Sequence, residues 1–395
     1  MIAWLLISFF VLLFLGVPIA MSLGLSAMGG ILFLGGGSTV TIAQRMFEGM
    51  NSFALLAIPL YTFAGFTMSK GGISKRLMDF CYSIVGHIYG GLAHVNVLSS
   101  MIFAGISGSA VADTAGVSGM FMPEMVRKGY SKNFTVAVTA ISSTIGIIIP
   151  PSIPMVVIAG ICGISTGKLF LGGIIPGILC GLAQMIVSYF LAKKEGVPKE
   201  PGHFTIGPVL HGLWESWPAL LMPIIIVGTI TMGIVSPTEA GVIAVVYGLF
   251  AGGIIYRELK WEDIKFAFAE TVRTSGRIFI VIGAAKLYTV MLTTAGFDKW
   301  VAKTMLGFST NPTVILIVIL LIFFIVTMFM ESIATLTLFM PILYPIALGV
   351  GINPIVLSVL ITVVIGIGLV TPPVGMCIYV ACDLMDTTVG EVFPT

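Results

Sequence analysis

Apolar residues run along this chain in long blocks separated by short polar joints. The blocks fall near 2–34, 53–68, 77–106, 134–164, 169–192, 218–235, 240–256, 278–295, 313–349 and 354–385. A hydrocarbon core of ~30 Å is crossed by ~20 apolar residues in a helix, so blocks of this length predict membrane spans. Several are too long for one span or carry Pro and Gly inside, which predicts broken helices. Two joints have the character of interfacial segments. Residues 201–217 hold His203, His211, Trp214 and Trp217 and predict an interfacial linker. Residues 257–277 place Trp261, Ile264, Phe268 and Val272 at helical spacing, as in a helix lying along the membrane surface.

The pattern also repeats. IGIIIPPSIPMVVIA (145–159) aligns with IGLVTPPVGMCIYVA (367–381) at an offset of 222. Phe121-Met122-Pro123 aligns with Phe339-Met340-Pro341 at 218, an offset that also sets Asp113 against Glu331, and Pro18 echoes Pro237 at 219. Collinear matches predict a duplicated unit: a first repeat over 1–200, the linker, and a second repeat over 218–395. Each unit would hold a re-entrant hairpin, near 103–123 and near 322–341, and a Pro-Pro-broken helix, near 134–164 and near 354–385. Duplication with broken helices is an architecture of secondary transporters, often with the halves inverted in the membrane.

Composition narrows the class. The 395 residues are 57% hydrophobic and 9% charged, against roughly 25% charged in a soluble domain. A water-soluble fold so poor in charge could not cover its own surface, so the fold class is an all-α polytopic membrane protein. Lys193, Lys194 and Lys199, and then Arg257, Lys260 and Lys265, form basic clusters, and the positive-inside rule puts both in the cytoplasm with an even number of crossings between. The first residues, MIAWLLISFF, carry no basic start and read as a membrane helix rather than a signal peptide. Five cysteines without a CxxC predict neither a disulfide framework nor a zinc site.

Candidate chemistry sits at the helix breaks. Two consecutive prolines remove two backbone donors and disrupt the preceding helical turn, and in lipid such breaks persist only where protein, water or an ion fills the gap. The carbonyls around Gly146–Ile149 and Gly368–Thr371, with the Ser143, Thr144 and Thr371 hydroxyls, are hard oxygen ligands suited to Na⁺; a kink satisfied by neighbouring hydroxyls is the alternative. The small-residue stretch FAGISGSAVADTAGVSGMFMPEM (103–125) suits a tight hairpin, or plain close helix packing. Asp113, Glu239, Lys286 and Glu331 are charges inside membrane-length segments, where a functional role is the default. Lys286 would meet either a substrate carboxylate or a neighbouring acid. No phosphate loop is present, and GISGSAVAD lacks the strand–turn–helix setting of a nucleophile elbow. Enzyme chemistry and direct ATP hydrolysis are therefore excluded as expectations; an ion-coupled transporter leads, with a proton-coupled mechanism through Asp113 or Glu331 and an ion channel as alternatives.

With these residues the chain resembles the large membrane subunit of tripartite ATP-independent periplasmic (TRAP) transporters, DctM-like. The resemblance rests on IPLYTFAGFTMSKGGISKRL, GHIYGGLAHVNV, SGSAVADTAG, KGYSKNF, IGIIIPPSIP, LFLGGIIPG, SPTEAG and GLVTPPVG, in order from about residue 49 to 382. It implies Na⁺-coupled uptake of a small organic acid, such as a dicarboxylate or sialic acid, by an elevator movement in the bacterial inner membrane. It further implies one Na⁺ site at Ser107, Ser109, Gly146 and Ile149 and another at Gly368, Thr371 and the second hairpin. Substrate would lie between the tips, at Ser107, Gly108, Ser109, Asp113, Glu331, Ser332 and Thr335. The implied partners are a small four-helix membrane subunit and a periplasmic substrate-binding protein. Two departures stand out: the family carries a final apolar helix where this sequence ends at Thr395, and Asp113 occupies a place expected for a small or hydroxyl residue.

Overall fold

The computed structural model describes residues 1–35, 38–197 and 204–392. Lys199, His203 and Thr395 lie outside these. The described residues form helices and turns with no strand. In chain order the helices are α1 (Ile2–Phe14), α2 (Ile19–Leu34), α3 (Thr39–Met50), α4 (Ala57–Lys70), α5 (Ile73–Val85), α6 (Gly91–Ser107), α7 (Ala110–Asp113), α8 (Gly119–Arg127), α9 (Lys132–Ser143) and α10 (Ile153–Cys162). Then come α11 (Thr166–Lys194), α12 (Ile206–Thr231), α13 (Pro237–Phe250), α14 (Trp261–Thr294), α15 (Phe297–Phe308), α16 (Pro312–Thr327), α17 (Ser332–Gly349), α18 (Pro354–Gly368), α19 (Met376–Leu384) and α20 (Val389–Val392).

Local chemistry sets many of these boundaries. Helices α13, α16 and α18 each begin with Pro just after a Ser or Asn cap: Ser236, Asn311 and Asn353 accept from backbone N–H groups of the first turn. Proline suits that first position because its missing donor would be unpaired there anyway, and the cap oxygen satisfies a donor the helix cannot. Among the described residues, six helical segments are long and apolar enough to cross a bilayer: Phe53–Lys70, Thr166–Lys194, Ile206–Thr231, Pro237–Ile255, Trp261–Thr294 and Ser332–Gly349. Exposed Phe14, Phe33, Ile175, Phe190, Met232 and Phe308 on the outside of the molecule fit a lipid surround.

Two joints differ from their expected form. From Ile206 onward the 201–217 linker is the first half of α12, which continues through Pro218 into the following span. Likewise 257–277 is largely the start of the 34-residue α14. At 1.5 Å per residue α14 is about 50 Å long, more than a bilayer core, so one helix accommodates both the polar stretch and the span. Both joints have the composition of interfacial segments, and each is continuous with the span that follows it. The 2–34 block divides at Gly16–Pro18 into α1 and α2.

Two buried clusters organise the packing. The larger joins most of the chain; the smaller packs Ala334, Leu338 and Ile342 of α17 against Leu5 and Phe9 of α1, Leu23 and Ala27 of α2, and Ala284, Tyr288 and Met291 of α14. Helix α10 packs on α17, while α19 packs on α9 and on the turn at Thr114–Ser118. The segment after each Pro-Pro break thus rests on elements distant in sequence, α10 on α17 and α19 on α9 and Thr114–Ser118.

Candidate functional site

Each hairpin tip is seated on the break of its own half. In the first half α6 ends at Ser107, Gly108 turns the chain with φ +65°, and Ser109 caps α7. The Gly108 carbonyl accepts from Ile153 N at 3.1 Å, two residues beyond Pro151. The fit is tight: a Cβ on Gly108 would stand 2.6 Å from the Pro151 carbonyl oxygen. Gly146 approaches from the other side, where a Cβ would stand 3.3 Å from the Ser109 carbonyl oxygen. Ser107, Gly108, Ser109 and Gly146 are therefore one cluster. Ser107 is buried, and α4 closes over it, with Gly65 lying against the Ser107 Cα. Ile149 stands at the edge of the cluster, its side chain against Gly177 of α11.

The second tip repeats the contact with other residues. Helix α16 ends at Thr327, the chain turns through Met328–Met330, and Glu331 caps α17. The Met328 carbonyl accepts from Val374 N at 2.9 Å, one residue beyond Pro373. Gly368 packs directly beneath the Thr327 hydroxyl. Both Pro-Pro bonds, 150–151 and 372–373, are cis. The two breaks also meet each other, since a Cβ on Gly366 would lie 3.5 Å from Thr144 Cβ and 3.6 Å from the Thr144 carbonyl oxygen.

The hydroxyls around the breaks already hold backbone carbonyls. Ser152 donates to Ile147 O at 2.5 Å, Ser143 to Thr139 O at 2.7 Å, and Thr144 to Ile141 O at 2.7 Å. In the second half Thr371 donates to Ile367 O and Thr327 to Phe323 O, each at 2.7 Å. A hydroxyl that donates its hydrogen keeps oxygen lone pairs that accept from a donor or ligate a cation. The donor set is thus neutral, hard oxygen, which fits Na⁺ better than a transition metal. Among the described residues no group of three or more His, Cys, Asp or Glu is placed to hold a metal, and all five cysteines are free.

The acidic residues have different surroundings. Glu331 turns back on its own helix: one carboxylate oxygen accepts from Ile333 N at 2.9 Å and Ala334 N at 3.2 Å, the other from the Ser332 hydroxyl at 2.8 Å. Thr335 donates to the Glu331 carbonyl at 3.1 Å. Glu331, Ser332 and Thr335 therefore form the cap of the second tip. Its counterpart by cap position is Ser109, 222 residues earlier, the same spacing as the Pro-Pro pairs. Asp113, matched to Glu331 by the offset of 218, lies a turn further into the first hairpin, fully buried, within electrostatic reach of Cys377 on α19. Glu239 closes a capping box with Ser236 at the start of α13. Lys286 lies alongside α3, its stem against Gly49, on the side of Glu48, whose carboxylate pairs with Arg45 at 2.7 Å. His94 is held by Tyr89 O at 3.1 Å and packs near Tyr189.

Sequence reading missed two residues of this site. Thr327, over Gly368, gave no signal in an apolar run, and Ser152, over Ile147, had only its place after Pro151.

Residues 6–394 match the family model of the tripartite ATP-independent periplasmic transporter, DctM component. The chain is 37% identical over 384 residues to the isethionate TRAP transporter permease protein DctMQ of Oleidesulfovibrio alaskensis, covering 97% of this chain but 60% of that protein. It is 36% identical over 375 residues to the sialic acid TRAP transporter large permease protein SiaM of Vibrio cholerae, covering 95% and 88%. Against the C4-dicarboxylate TRAP transporter large permease protein DctM of Pseudomonas aeruginosa the identity is 37% over 369 residues, covering 93% and 86%. Among solved structures the chain is similar in fold to the YdaH transporter of Alcanivorax borkumensis, with a TM-score of 0.59 at 13% identity over 90% of this chain and 83% of that one. It is also similar to MtrF of Neisseria gonorrhoeae, with a TM-score of 0.57 at 13% identity over 90% and 80%.

Proposed function

Because this chain belongs to the DctM family of TRAP transporters, whose members are transport permeases rather than enzymes, we propose that it is the translocating subunit of a Na⁺-coupled importer of a small organic acid. The relatives named above are described for isethionate, sialic acid and C4-dicarboxylates, which share an acidic group on a small polar skeleton. One observation carries the reading: both hairpin tips hydrogen-bond to the backbone just beyond a Pro-Pro break, Gly108 to Ile153 and Met328 to Val374. Two re-entrant tips closing on two unwound segments create paired oxygen-lined clefts where desolvated ions and a substrate are held together.

In this account Ser107, Ser109, Gly146 and Ile149 surround one Na⁺, and Gly368, Thr371 and the cap around Glu331–Thr335, with Thr327, surround the other. Substrate lies between the tips. The duplicated halves are inverted in the inner membrane. The α17 face that packs on α1, α2 and α14 is the surface along which a transport domain moves against a scaffold in an elevator stroke. A small membrane subunit and a periplasmic binding protein complete the system.

The test is uptake of labelled sialic acid, a C4-dicarboxylate and isethionate by proteoliposomes holding the chain with its membrane partner and binding protein. Uptake of one acid above protein-free vesicles supports the proposal. Equal, gradient-independent leakage of all three, or of inorganic ions, would indicate a pore instead.

A further inference from the structure

Helix α11 touches the first break through three glycines on one face, Gly173, Gly177 and Gly181, each four residues from the next. Their contacts differ in kind. A Cβ on Gly173 would stand 2.5 Å from the Ile148 carbonyl oxygen. A Cβ on Gly177 would overlap Ile149 Cγ1 and come within 3.4 Å of Ile149 N. On Gly181 it would meet the Sδ and side-chain carbons of Met101. A backbone carbonyl in a packed core has nowhere to turn, and Cγ1 of a β-branched residue is tied closely to its main chain. A methionine side chain has three rotatable bonds and moves aside.

Ile148 and Ile149 are the last two residues before Pro150, and their N–H groups both bond to Ile145 O, at 2.9 and 3.0 Å. Their backbone position is thus fixed from below by that turn and from above by α11. On the reading that the first break holds Na⁺, we infer that Gly173 and Gly177 are positioning residues that set the Ile148–Ile149 backbone at the distance the ion requires. Gly181 has no such role. Neither glycine touches the ion; each acts by letting the α11 backbone approach. The helix is a rigid gauge for the break, so an added methyl group pushes the carbonyls out of register without removing any ligand.

The experiment measures thermal unfolding of the purified full chain in detergent across a NaCl series, with choline chloride holding ionic strength constant. Gly173→Ala and Gly177→Ala are expected to raise the half-saturating Na⁺ concentration at least about tenfold, as loss of one well-placed charged contact does. Gly181→Ala is expected to leave it unchanged. The double variant Gly177→Ala/Ile149→Ala, which removes the clashing Cγ1 but keeps the backbone carbonyl, is expected to return it to within about threefold of the wild type. Wild-type Na⁺ dependence with unchanged half-saturation in both single variants would overturn the inference alone. A shift in all three variants, without rescue, would mean general loosening of α11 and also overturn it. Absence of any Na⁺ effect on the wild type would overturn the ion-site reading beneath it. Should Gly173→Ala fail to fold, the Gly177 pair decides the matter.

Discussion

Replacing Gly108 by alanine tests whether the first tip is seated on its break as described. The substitution combines three effects. Gly108 has φ +65°, and an alanine held in the left-handed region loses about 1–2 kcal/mol. The new Cβ would stand 2.6 Å from Pro151 O, so the tip must lift. Lifting breaks the Ile153 N–H bond to Gly108 O and leaves a buried donor unpaired, which costs about 1–3 kcal/mol more. Gly163 supplies the control: it ends α10 at φ +66° with nothing within 4 Å of a Cβ. Gly163→Ala therefore bears the backbone effect alone. Denaturant or thermal unfolding in detergent should show Gly108→Ala less stable than Gly163→Ala by about 1–3 kcal/mol. Reconstituted uptake should be lost in the first variant and largely kept in the second. Equal destabilisation by the two, or full uptake by Gly108→Ala, would refute the seated tip.

Other outcomes follow from the same structure. Glu331→Gln is expected to retain Na⁺-driven uptake, because a cap needs an acceptor and not a proton; Glu331→Ala should lose about 0.5–2 kcal/mol in an unfolding titration. Lys286→Met should leave uptake intact in the same vesicles, since Lys286 lies against α3 and not at the tips. Hydrogen bonds from the Thr387 hydroxyl, and then Thr388, hold the Glu391 carboxyl below its ordinary value. A lowered folded-state value means that its contribution is present above the unfolded-state value and is lost as pH falls through the folded one. Hydrogen exchange of residues 385–392, docked on α9 by Asn133 Nδ2 to Glu391 O at 2.8 Å, should therefore accelerate only in acid, below the usual glutamate range.

How much of this was legible beforehand depends on the range of the interactions. Pro150–Pro151 and Pro372–Pro373 announced the breaks because proline acts on its own backbone. Ser107, Gly108 and Ser109 announced a tip through their size. What each tip touches was not legible, since Gly108 and Ile153 are brought together only when the hairpin folds back. Glu331 read as a charge available for substrate or protons; its role as a cap depends on α17 starting at Ser332, and an apolar sequence fixes helix starts poorly. The offset of 218 paired it with Asp113, whereas the fold places Ser109 at the matching cap. Trp214 and Trp217 carried the composition of an interface, yet a helix passes through that composition without stopping, as α12 does. The glycines of α11 carry no distinguishing signal in the sequence, because the carbonyl beneath Gly173 comes from Ile148, in a break earlier in the chain, and meets it only in the fold.

On the proposed function, ions bound at the two tip-and-break clefts drive uptake. The most direct measurement of this is substrate uptake into proteoliposomes under an inward Na⁺ gradient at equal pH, against a pH gradient in Na⁺-free buffer, for the wild type, Ser107→Ala and Thr371→Ala. Uptake is expected with the Na⁺ gradient alone, with a higher Na⁺ requirement in both variants. Equal uptake driven by the pH gradient without Na⁺, unaffected by either substitution, would contradict it.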